Sequence, residues 1–313
     1  MELNEPRELG ARAAEVLALA AEVAVADGVE ALSEQTLLDV RSPVRSVRHV
    51  LAEAGGELLG YAQVQPGDPA SAELAVRPSR RRAGVGRALL DAVRVEPVSV
   101  WAHGDLPAAR ALAHAAGMEA VRELLRMARP LAAVRDEAAS DAATDAADAD
   151  DHDDAVPDAR SRPAGPAPAG VVVETFRPGR DEEDWVRLNA TAFAAHPEQG
   201  RMTVADLRAR EAEDWFDPTV LWLARPGPGA PAVASMWVKV VPGEDAGEIY
   251  ALAVDPDAQG RGLGGHLTRL ALAEMAARGL RTATLYVEGD NVAARRTYER
   301  EGFVCVATDV QYR

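Results

Sequence analysis

Residues 250–276 read YALAVDPDAQGRGLGGHLTRLALAEMA, an apolar run, a glycine-rich polar turn and then an amphipathic stretch. The apolar run predicts a strand that ends near Val254, and the apolar spacing after Gly265 predicts a helix. A helix N-terminus leaves backbone N–H groups unpaired, and glycines let that backbone approach an anion closely. The loop between strand and helix is therefore predicted to cradle a pyrophosphate.

The same loop matches the G-x-G-x-x-G pattern of dinucleotide-binding folds at Gly260, Gly262 and Gly265. Two observations argue against that fold. The residues DPDAQ separate the strand from Gly260, whereas a dinucleotide-binding loop turns directly after its strand. A second copy of the loop, RRRAGVG at 80–86, lacks the first glycine but keeps the spacing that follows. The element common to both copies is [QR]-x-x-G-x-G.

The duplication extends well beyond the loop. ELAVRPSRRRAGVGRALLDAV at 73–93 parallels residues 250–276, and VSVWAHGDLPAARALAHAAGM at 98–118 parallels ATLYVEGDNVAARRTYEREGF at 283–303. Leu74 aligns with Leu252, and Gly104 aligns with Gly289. Two blocks in the same order predict two structural duplicates. Each is expected to be an α/β fold, a mixed and mostly antiparallel sheet with helices packed on it.

The segment between the copies has a different composition. Residues 136–158 contain ten Asp or Glu and no Lys or Arg, and the chain then continues as RSRPAGPAPAG. Such a segment buries little apolar surface and is predicted to be disordered or extended. The sequence thus predicts an N-terminal domain at 1–130, a linker at 131–169 and a C-terminal domain at 170–313.

Composition limits the classes of partner. The formal net charge of -16 opposes binding to nucleic acid phosphates or to anionic membranes. Charged residues interrupt the apolar stretch from Ala11 to Ala26, which predicts an amphipathic helix and not a membrane span. The polar, acidic N-terminus does not fit a secretory signal, so a cytoplasmic protein is expected. The six histidines are scattered and Cys305 is solitary, so no metal is expected; Cys305 itself is predicted to be a small buried hydrophobe.

The loop, together with the later block NVAARRTY at 291–298 and EGF at 301–303, resembles the GNAT acyltransferase superfamily. In that superfamily the glycine loop binds the pyrophosphate of acetyl-CoA, and an Asn and a Tyr of the second block flank its thioester. The resemblance covers both halves and implies acetyl-CoA as co-substrate. The predicted acetyl-CoA contacts of the C-terminal domain are Leu252, Ala253, Val254, Gln259, Gly260, Arg261, Gly262, Leu263, Gly264, Gly265, Asn291, Val292, Ala293, Ala294, Arg295 and Arg296. Those of the N-terminal domain are Leu74, Ala75, Val76, Arg82, Ala83, Gly84, Val85, Gly86 and Arg87.

Acetyl transfer to an amine requires a base for the amine proton, a donor for the oxyanion and an acid for the departing thiolate. Glu248 lies four residues before Leu252 on the strand beside the co-substrate and is the candidate base. Backbone N–H groups of Leu252–Val254 are candidate donors to the thioester carbonyl, if a splayed strand or bulge exposes them. Tyr298 is the candidate acid.

The ungapped repeat alignment predicts which copy is catalytic. It places Ala70 opposite Glu248 and Ala113 opposite Tyr298. It also places Trp101 opposite Tyr286 and Leu106 opposite Asn291. The N-terminal domain is therefore expected to bind acetyl-CoA without turning it over, with Arg81, Arg82 and Arg87 around the phosphates.

Further stretches resemble the mycothiol synthase family of tandem GNAT enzymes, among them LSEQTLLDV, AFAAHPEQGRMT, DWFDPTVL and LYVEGDNVAARRTYEREGF. The resemblance spans nearly the whole chain except the linker, which is unusually long and acidic here. It implies acetylation of the cysteinyl amine of cysteinyl-glucosaminyl-inositol. The residues that it implies in contact with this small-molecule substrate are Glu34, Glu198, Lys239, Glu248 and Tyr286. A monomeric enzyme is expected.

Two other functions remain open at this stage. A tandem GNAT enzyme could act on another amine, such as a protein N-terminus or an aminosugar. A non-catalytic acetyl-CoA sensor is the third possibility, which the N-terminal copy by itself would support. Glu248 and Tyr298 argue against the sensor.

The linker composition yields a first prediction. Replacement of residues 136–170 by a brief Gly/Ser tether should leave turnover within a few-fold, because this composition cannot form a core. Steady-state acetyl transfer by the shortened protein and by the full chain checks this. A folded but inactive shortened protein would contradict it.

Overall fold

A computed structural model of the chain describes residues 1–42, 45–94, 97–131, 165–194 and 197–313. The chain divides into two units. Unit 1 comprises Met1–Arg126, Val287–Asn291 and Val306–Arg313, and unit 2 comprises Met127–Tyr286 and Val292–Cys305. Most of the predicted linker, residues 132–164, lies outside the described residues, so the predicted disorder there stays a prediction.

Unit 1 begins with a short strand and two helices, which precede its main strands. The elements of the first half of the chain are β1 Glu2–Asn4, α1 Ala13–Asp27, α2 Glu34–Arg41, β2 Arg48–Ala54, β3 Glu57–Gln65, β4 Ala70–Val76, α3 Val85–Val93, β5 Val98–Ala102, α4 Pro107–Ala115 and β6 Ala120–Pro130. The predicted amphipathic helix near the N-terminus is confirmed as α1.

Strands β1 to β4 pair antiparallel in chain order. β4 then pairs parallel with β5 over Ala70–Ala72 and Val98–Val100. The chain's last strand joins this sheet, since Val310–Tyr312 pairs antiparallel with β5. Helix α3 packs with the cluster around Leu89 on one face of the sheet, and α1 packs with the cluster around Leu19 on the other.

The second half of the chain repeats this order of elements. They are β7 Val172–Thr175, α5 Glu182–Ala192, α6 Pro197–Gly200, α7 Val204–Glu211, β8 Leu221–Arg225, β9 Ala234–Val240, β10 Ala246–Val254, α8 Leu263–Ala277, β11 Thr282–Glu288, α9 Val292–Arg300 and β12 Val304–Tyr312. Strands β7 to β10 pair antiparallel in chain order, and β10 pairs parallel with β11. The α/β class with mixed, mostly antiparallel sheets is confirmed for both units.

The prediction that Cys305 is buried is wrong. Cys305 lies near the start of β12 and is exposed, as are its neighbours Val304 and Val306. Apolar alternation indicates a strand, but it does not tell which parts of that strand another element covers. No helix in the described part of the chain is long and apolar enough to span a membrane, and no group of side chains within those residues could hold a metal ion.

A buried cluster of charged side chains lies beside β4 and β5 in unit 1. His103, directly after β5, lies 3.1 Å from Asp309 through Nδ1 and 3.7 Å from Glu73 through Nε2. Burial by itself would lower the pKa of His103, but its hydrogen bond to Asp309 and the charges of Asp309 and Glu73 outweigh burial and raise the pKa to about 10. His103 is therefore a cation in the folded protein at neutral pH.

This cluster predicts a pH dependence of stability. Since the pKa of His103 is raised above the value of about 6.5 in unfolded chains, its contribution is fully present below about pH 6.5. The contribution is lost as pH rises towards about 10. The free energy of unfolding should therefore fall from pH 7 to pH 9.5, and His103→Gln should show a flatter profile. Urea unfolding of both proteins across this range checks the difference, and parallel profiles would contradict it.

Candidate functional site

Strands β10 and β11 part at the point where the sequence predicts thioester binding. Their parallel pairing covers Ala246–Ile249 and Thr282–Leu285, whereas β10 continues to Val254. Residues Leu252–Val254 still pair with β9 on the other edge. Because backbone groups point alternately to the two edges of a strand, part of this stretch presents its N–H groups to the opening beside β11.

A β-bulge precedes this open stretch. On β10 the pairing with β9 shifts register between Ile249 and Ala251, which leaves Tyr250 as the extra residue. A bulge inserts one residue and redirects the strand that carries it. The prediction required a splayed strand or a bulge near Leu252, and β10 has both.

The bulge corrects the ungapped alignment of the two copies. In unit 1, β3 and β4 pair from Gln65↔Ser71 to Gly60↔Val76 without a register shift. The parallel pair Glu248↔Thr284 in unit 2 is equivalent to the parallel pair Ser71↔Ser99 in unit 1. In both units this is the second-to-last pair before the two parallel strands separate. Ser71 and not Ala70 is thus the equivalent of Glu248. The ungapped alignment of Ala70 with Glu248 was wrong by one residue, because the extra residue at Tyr250 has no counterpart in β4. Neither residue can act as a carboxylate base.

Glu248 faces Lys239 across β9 and β10 as a directly opposed cross-strand pair. The Lys239 Nζ lies 4.7 Å from the ring centre of Trp215 and 5.7 Å from that of Tyr250. Such a cation–π arrangement restricts a flexible lysine and holds its charge on the Glu248 side of the sheet. These two predicted acceptor contacts are thus brought together.

The aromatic wall behind Lys239 is a feature that sequence reasoning missed. Tyr250 packs at 4.9 Å from Trp237 between ring centres, and its hydroxyl accepts a hydrogen bond of 2.6 Å from Nε of the buried Arg210. Helix α7, which carries Arg210, starts with a capping box between Thr203 and Asp206. The position of Tyr250, two residues after Glu248, was the available signal. Side chains two residues apart on a strand share a face, so this spacing predicts Tyr250 beside Glu248.

The glycine loop of unit 2 has the backbone of an anion site. After Val254 comes a 3-10 turn at Pro256–Ala258, followed by Gly260 and Gly262 with φ of 76° and 78°. Gly262 is the N-cap of α8, and no side chain caps that helix end. A Cβ at Gly260 or Gly262 would meet no atom within 4 Å, so positive φ and not crowding accounts for the glycines. The uncapped first turn of α8 leaves N–H groups for a phosphate.

The loop of unit 1 follows the same path with a different residue. Arg82 stands where unit 2 has Gly260 and has φ of 62°, and Gly84 caps α3 with φ of 84°. Arg81 pairs with both oxygens of Asp27 at 2.7 and 2.8 Å, and Arg87 pairs with Asp91 at 2.9 Å. Two of the three arginines predicted around the phosphates are thus neutralised within unit 1.

Unit 1 also contains a cleft with a volume of about 520 Å³ between this loop and the ends of its splayed strands. Its walls are mainly apolar, and they include Leu74, Val76, Gly84, Trp101, Leu106 and Tyr312. The hydroxyl of Tyr312 donates to Asp105 at 2.7 Å, which fixes this end of the chain at the cleft wall. The cleft could hold an elongated, mainly apolar group with a phosphate at the loop.

Tyr298 lies on α9 with its side chain buried against Phe303, at 5.8 Å between ring centres. Burial raises the pKa of Tyr298, so the phenol keeps its proton at neutral pH. Asn291 immediately precedes α9, and its N–H donates to the carbonyl of Glu288 at 3.1 Å.

The other predicted acceptor contacts lie on three different elements. Glu34 is the first residue of α2 and is half-buried in unit 1. Tyr286 lies on β11 with an exposed fraction of 43%. Glu198 belongs to α6, but its side chain and the neighbouring His196 lie outside the described residues.

Comparisons with known proteins agree with this architecture. The acetyltransferase (GNAT) family matches residues 185–303, and a GNAT acetyltransferase domain matches residues 45–119. A mycothiol acetyltransferase of Cellulomonas flavigena is 47% identical over 91% of this chain and 81% of its own length. One from Beutenbergia cavernae is 46% identical over 96% of this chain and 95% of its own length.

Solved structures show the same fold. A GCN5-related N-acetyltransferase from Sphaerobacter thermophilus has a TM-score of 0.63 at 23% identity, and covers 99% of this chain and 94% of its own. A tandem GNAT protein from the clavulanic acid biosynthesis pathway has a TM-score of 0.65 at 19% identity, with 99% and 98% covered. The predicted tandem GNAT fold is confirmed.

The loop geometry yields a prediction about Gly262. Gly262→Ala forces a side chain into positive φ, at roughly 1–2 kcal/mol, and also disturbs the N–H groups at the start of α8. The KM for acetyl-CoA should rise about tenfold or more, equivalent to roughly 1.4 kcal/mol of lost binding. Gly243→Ala is the matched control, since Gly243 has φ of 87° and open space, and its loop precedes β10 whereas the loop at the start of α8 follows β10. Equal KM values in the two variants would contradict a phosphate at this loop.

Proposed function

Because this chain belongs to the mycothiol acetyltransferase family, we propose that it acetylates the cysteinyl amine of cysteinyl-glucosaminyl-inositol and so forms mycothiol. The chain is an acetyl-CoA-dependent N-acetyltransferase that acts on a small molecule. The observation that carries the proposal is the pair Glu248 and Lys239 beside the bulge and the opening between β10 and β11. A cytoplasmic monomer that binds neither nucleic acid nor membranes remains our prediction.

Glu248 is the proposed base. A protonated amine has no lone pair with which to attack, so Glu248 takes its proton, directly or through a water. The strand places Glu248 on the same face as Lys239, where an amine bound near both groups has an acceptor for its proton. Lys239 donates hydrogen bonds to hydroxyl oxygens of the sugar or inositol, since an ammonium has three donors and no acceptor.

The backbone of β10 stabilises the oxyanion in this proposal. As the amine nitrogen bonds to the thioester carbon, negative charge develops on the carbonyl oxygen. N–H groups in the Leu252–Val254 stretch, exposed after the bulge, donate to that oxygen. Because the sheet fixes these dipoles in advance, they need no reorganisation during the reaction.

Tyr298 completes the proposed chemistry. When the carbon–sulfur bond breaks, the CoA thiolate takes a proton, and Tyr298 holds one at neutral pH because burial keeps the phenol neutral. The uncapped start of α8 and the positive-φ glycines of its loop fit the pyrophosphate of the co-substrate. The start of α9, from Asn291 to Arg296, is proposed to contact the same molecule.

Unit 1 is proposed to bind acetyl-CoA without turnover. Its β4 has no bulge against β3, and it has Ser71 at the position of Glu248. Ala113, a small buried residue, aligns with Tyr298. The apolar cleft and the loop at Gly84 support binding, whereas the base and the acid have no counterpart at these positions.

We propose Glu34, Glu198 and Tyr286 as further contacts of the acceptor. Carboxylates suit a polyhydroxylated substrate with a free amine, because they accept hydrogen bonds from its O–H and N–H groups. An acetylation assay with cysteinyl-glucosaminyl-inositol beside a panel of protein N-termini and aminosugars tests the acceptor. Faster turnover of a panel amine would replace the proposed substrate by that amine.

The proposed base yields a prediction with a matched control. Glu248→Gln keeps the size of the side chain but removes its basicity, and should lower kcat by about a hundredfold or more. Glu244→Gln makes the same change at an exposed loop residue and should leave kcat within about twofold. Tyr298→Phe should have a smaller effect than Glu248→Gln, because a thiol with a pKa near 8.5 is a moderate leaving group. An unchanged kcat of Glu248→Gln across neutral pH would exclude Glu248 as the base.

A further inference from the structure

Unit 1 contains a buried cluster that the acetyl transfer does not use. It consists of Glu73 on β4, His103 after β5 and Asp309 on β12, with side-chain exposures of 7%, 16% and 9%. Besides His103, Asp309 accepts a hydrogen bond of 2.7 Å from the N–H of Gly104. One cation thus lies between two carboxylates in a largely water-free place.

Glu73 connects this cluster to a helix. The N–H of Ser33 donates to Glu73 Oε2 at 2.7 Å. Ser33 is the N-cap of α2, and its hydroxyl accepts from the N–H of Thr36 at 3.3 Å. The residue after Ser33 is Glu34. A carboxylate at this end also interacts favourably with the helix dipole.

Helix α2 needs such external contacts to have a defined position. It spans Glu34–Arg41, about two turns, and helices of that length are marginal on their own. Its other end is held by buried Asp39, which accepts from Gln63 at 2.9 Å and pairs with Arg45 at 2.7 Å. Polar contacts at both ends therefore fix where the side chains of α2 lie.

The charges explain why Glu73 can serve as an anchor. A buried carboxylate is costly unless it is paired and hydrogen-bonded. His103 supplies the positive charge, and Asp309 orients the imidazole through its other nitrogen. The positive charge of His103 and the hydrogen bond from Ser33 outweigh the effect of burial and hold the pKa of Glu73 below its ordinary value. Glu73 therefore stays ionised and keeps a strong acceptor at the start of α2.

We propose that Glu73, held by His103 and Asp309, is a positioning residue that sets the place of Glu34 for recognition of the polyhydroxylated acceptor. This inference rests on the proposed contact of Glu34 with the acceptor. Asp309 belongs to the last eight residues of the chain, 306–313, which form part of unit 1. Acceptor recognition through α2 thus depends on the C-terminal strand.

The test is a double-mutant cycle on the full-length protein, with KM measured separately for acceptor and acetyl-CoA. Glu73→Gln and Asp309→Asn each remove one charge and keep the side-chain shape. Loss of a charge-assisted contact should raise the acceptor KM roughly five- to tenfold. The KM for acetyl-CoA and kcat should stay within about twofold. A merely structural role would instead lower the melting temperature or the active fraction at an unchanged acceptor KM.

The cycle partner is Glu34→Gln. In its background, Glu73→Gln should raise the acceptor KM by less than about twofold, because a misplaced Glu34 and an absent carboxylate have the same consequence. The control in unit 1 is Glu57→Gln, whose carboxylate pairs with Arg80 away from α2. It should leave both KM values unchanged.

Two variants at Ser33 test the same contact without changing a buried charge, in case the charge variants misfold. Ser33 has φ of −65°, which proline can adopt, so Ser33→Pro removes its N–H, and Ser33→Ala removes only the hydroxyl cap. The acceptor KM should rise more in Ser33→Pro than in Ser33→Ala.

The outcomes distinguish failure of the proposed Glu34 contact from failure of the positioning role of Glu73. If Glu34→Gln leaves the acceptor KM unchanged, the proposed contact of Glu34 fails and the positioning role fails with it. If Glu34→Gln raises the acceptor KM but the Glu73, Asp309 and Ser33→Pro variants do not, only the positioning role is wrong. Additive effects of Glu34→Gln and Glu73→Gln would also overturn it.

Discussion

Backbone hydrogen bonding along β10 is the constraint on which the site depends. A strand in the middle of a sheet normally hydrogen-bonds through its N–H and C=O groups to both neighbouring strands. Here β10 keeps β9 as a partner to Val254 but pairs with β11 only as far as Ile249. In the proposed reaction the released backbone serves the thioester. The glycine loop and α8 follow directly, so one continuous segment can contact both ends of the co-substrate.

One extra residue distinguishes the two copies at this place. Both units have strands that part, a 3-10 turn, a positive-φ loop and a helix N-terminus, so the scaffold for a nucleotide is duplicated. Only β10 has the bulge at Tyr250 against its antiparallel neighbour, whereas β4 pairs with β3 in continuous register. A bulge changes which side chains share a face. It keeps Glu248 on the face of Lys239 and the aromatic wall while Leu252 packs near α8.

In unit 1 the residues at the corresponding positions stabilise the fold. On the unbulged β4 the buried carboxylate Glu73 shares a face with Ser71, and His103 balances its charge. A base that must accept protons cannot also be a permanent partner of a protonated imidazole. The same kind of side chain therefore has opposite requirements in the two units: Glu248, as the proposed base, must reach an amine, whereas Glu73 is hydrogen-bonded to the start of α2.

The sequence by itself determined the duplication, the glycine loops, the strand–loop–helix order and the candidates Glu248, Lys239 and Tyr298, because these follow from local patterns and backbone conformation. The family resemblance then indicated the acceptor, and Glu34 with it. Only the tertiary structure decided the bulge, the equivalence of Glu248 with Ser71, the exposure of Cys305 and the meeting of His103 with Asp309. The physical reason is that register and burial depend on the partner strand. That partner can lie about 200 residues away, as Val310 does from Ala102, and the spacing of residues along one strand carries no information about it.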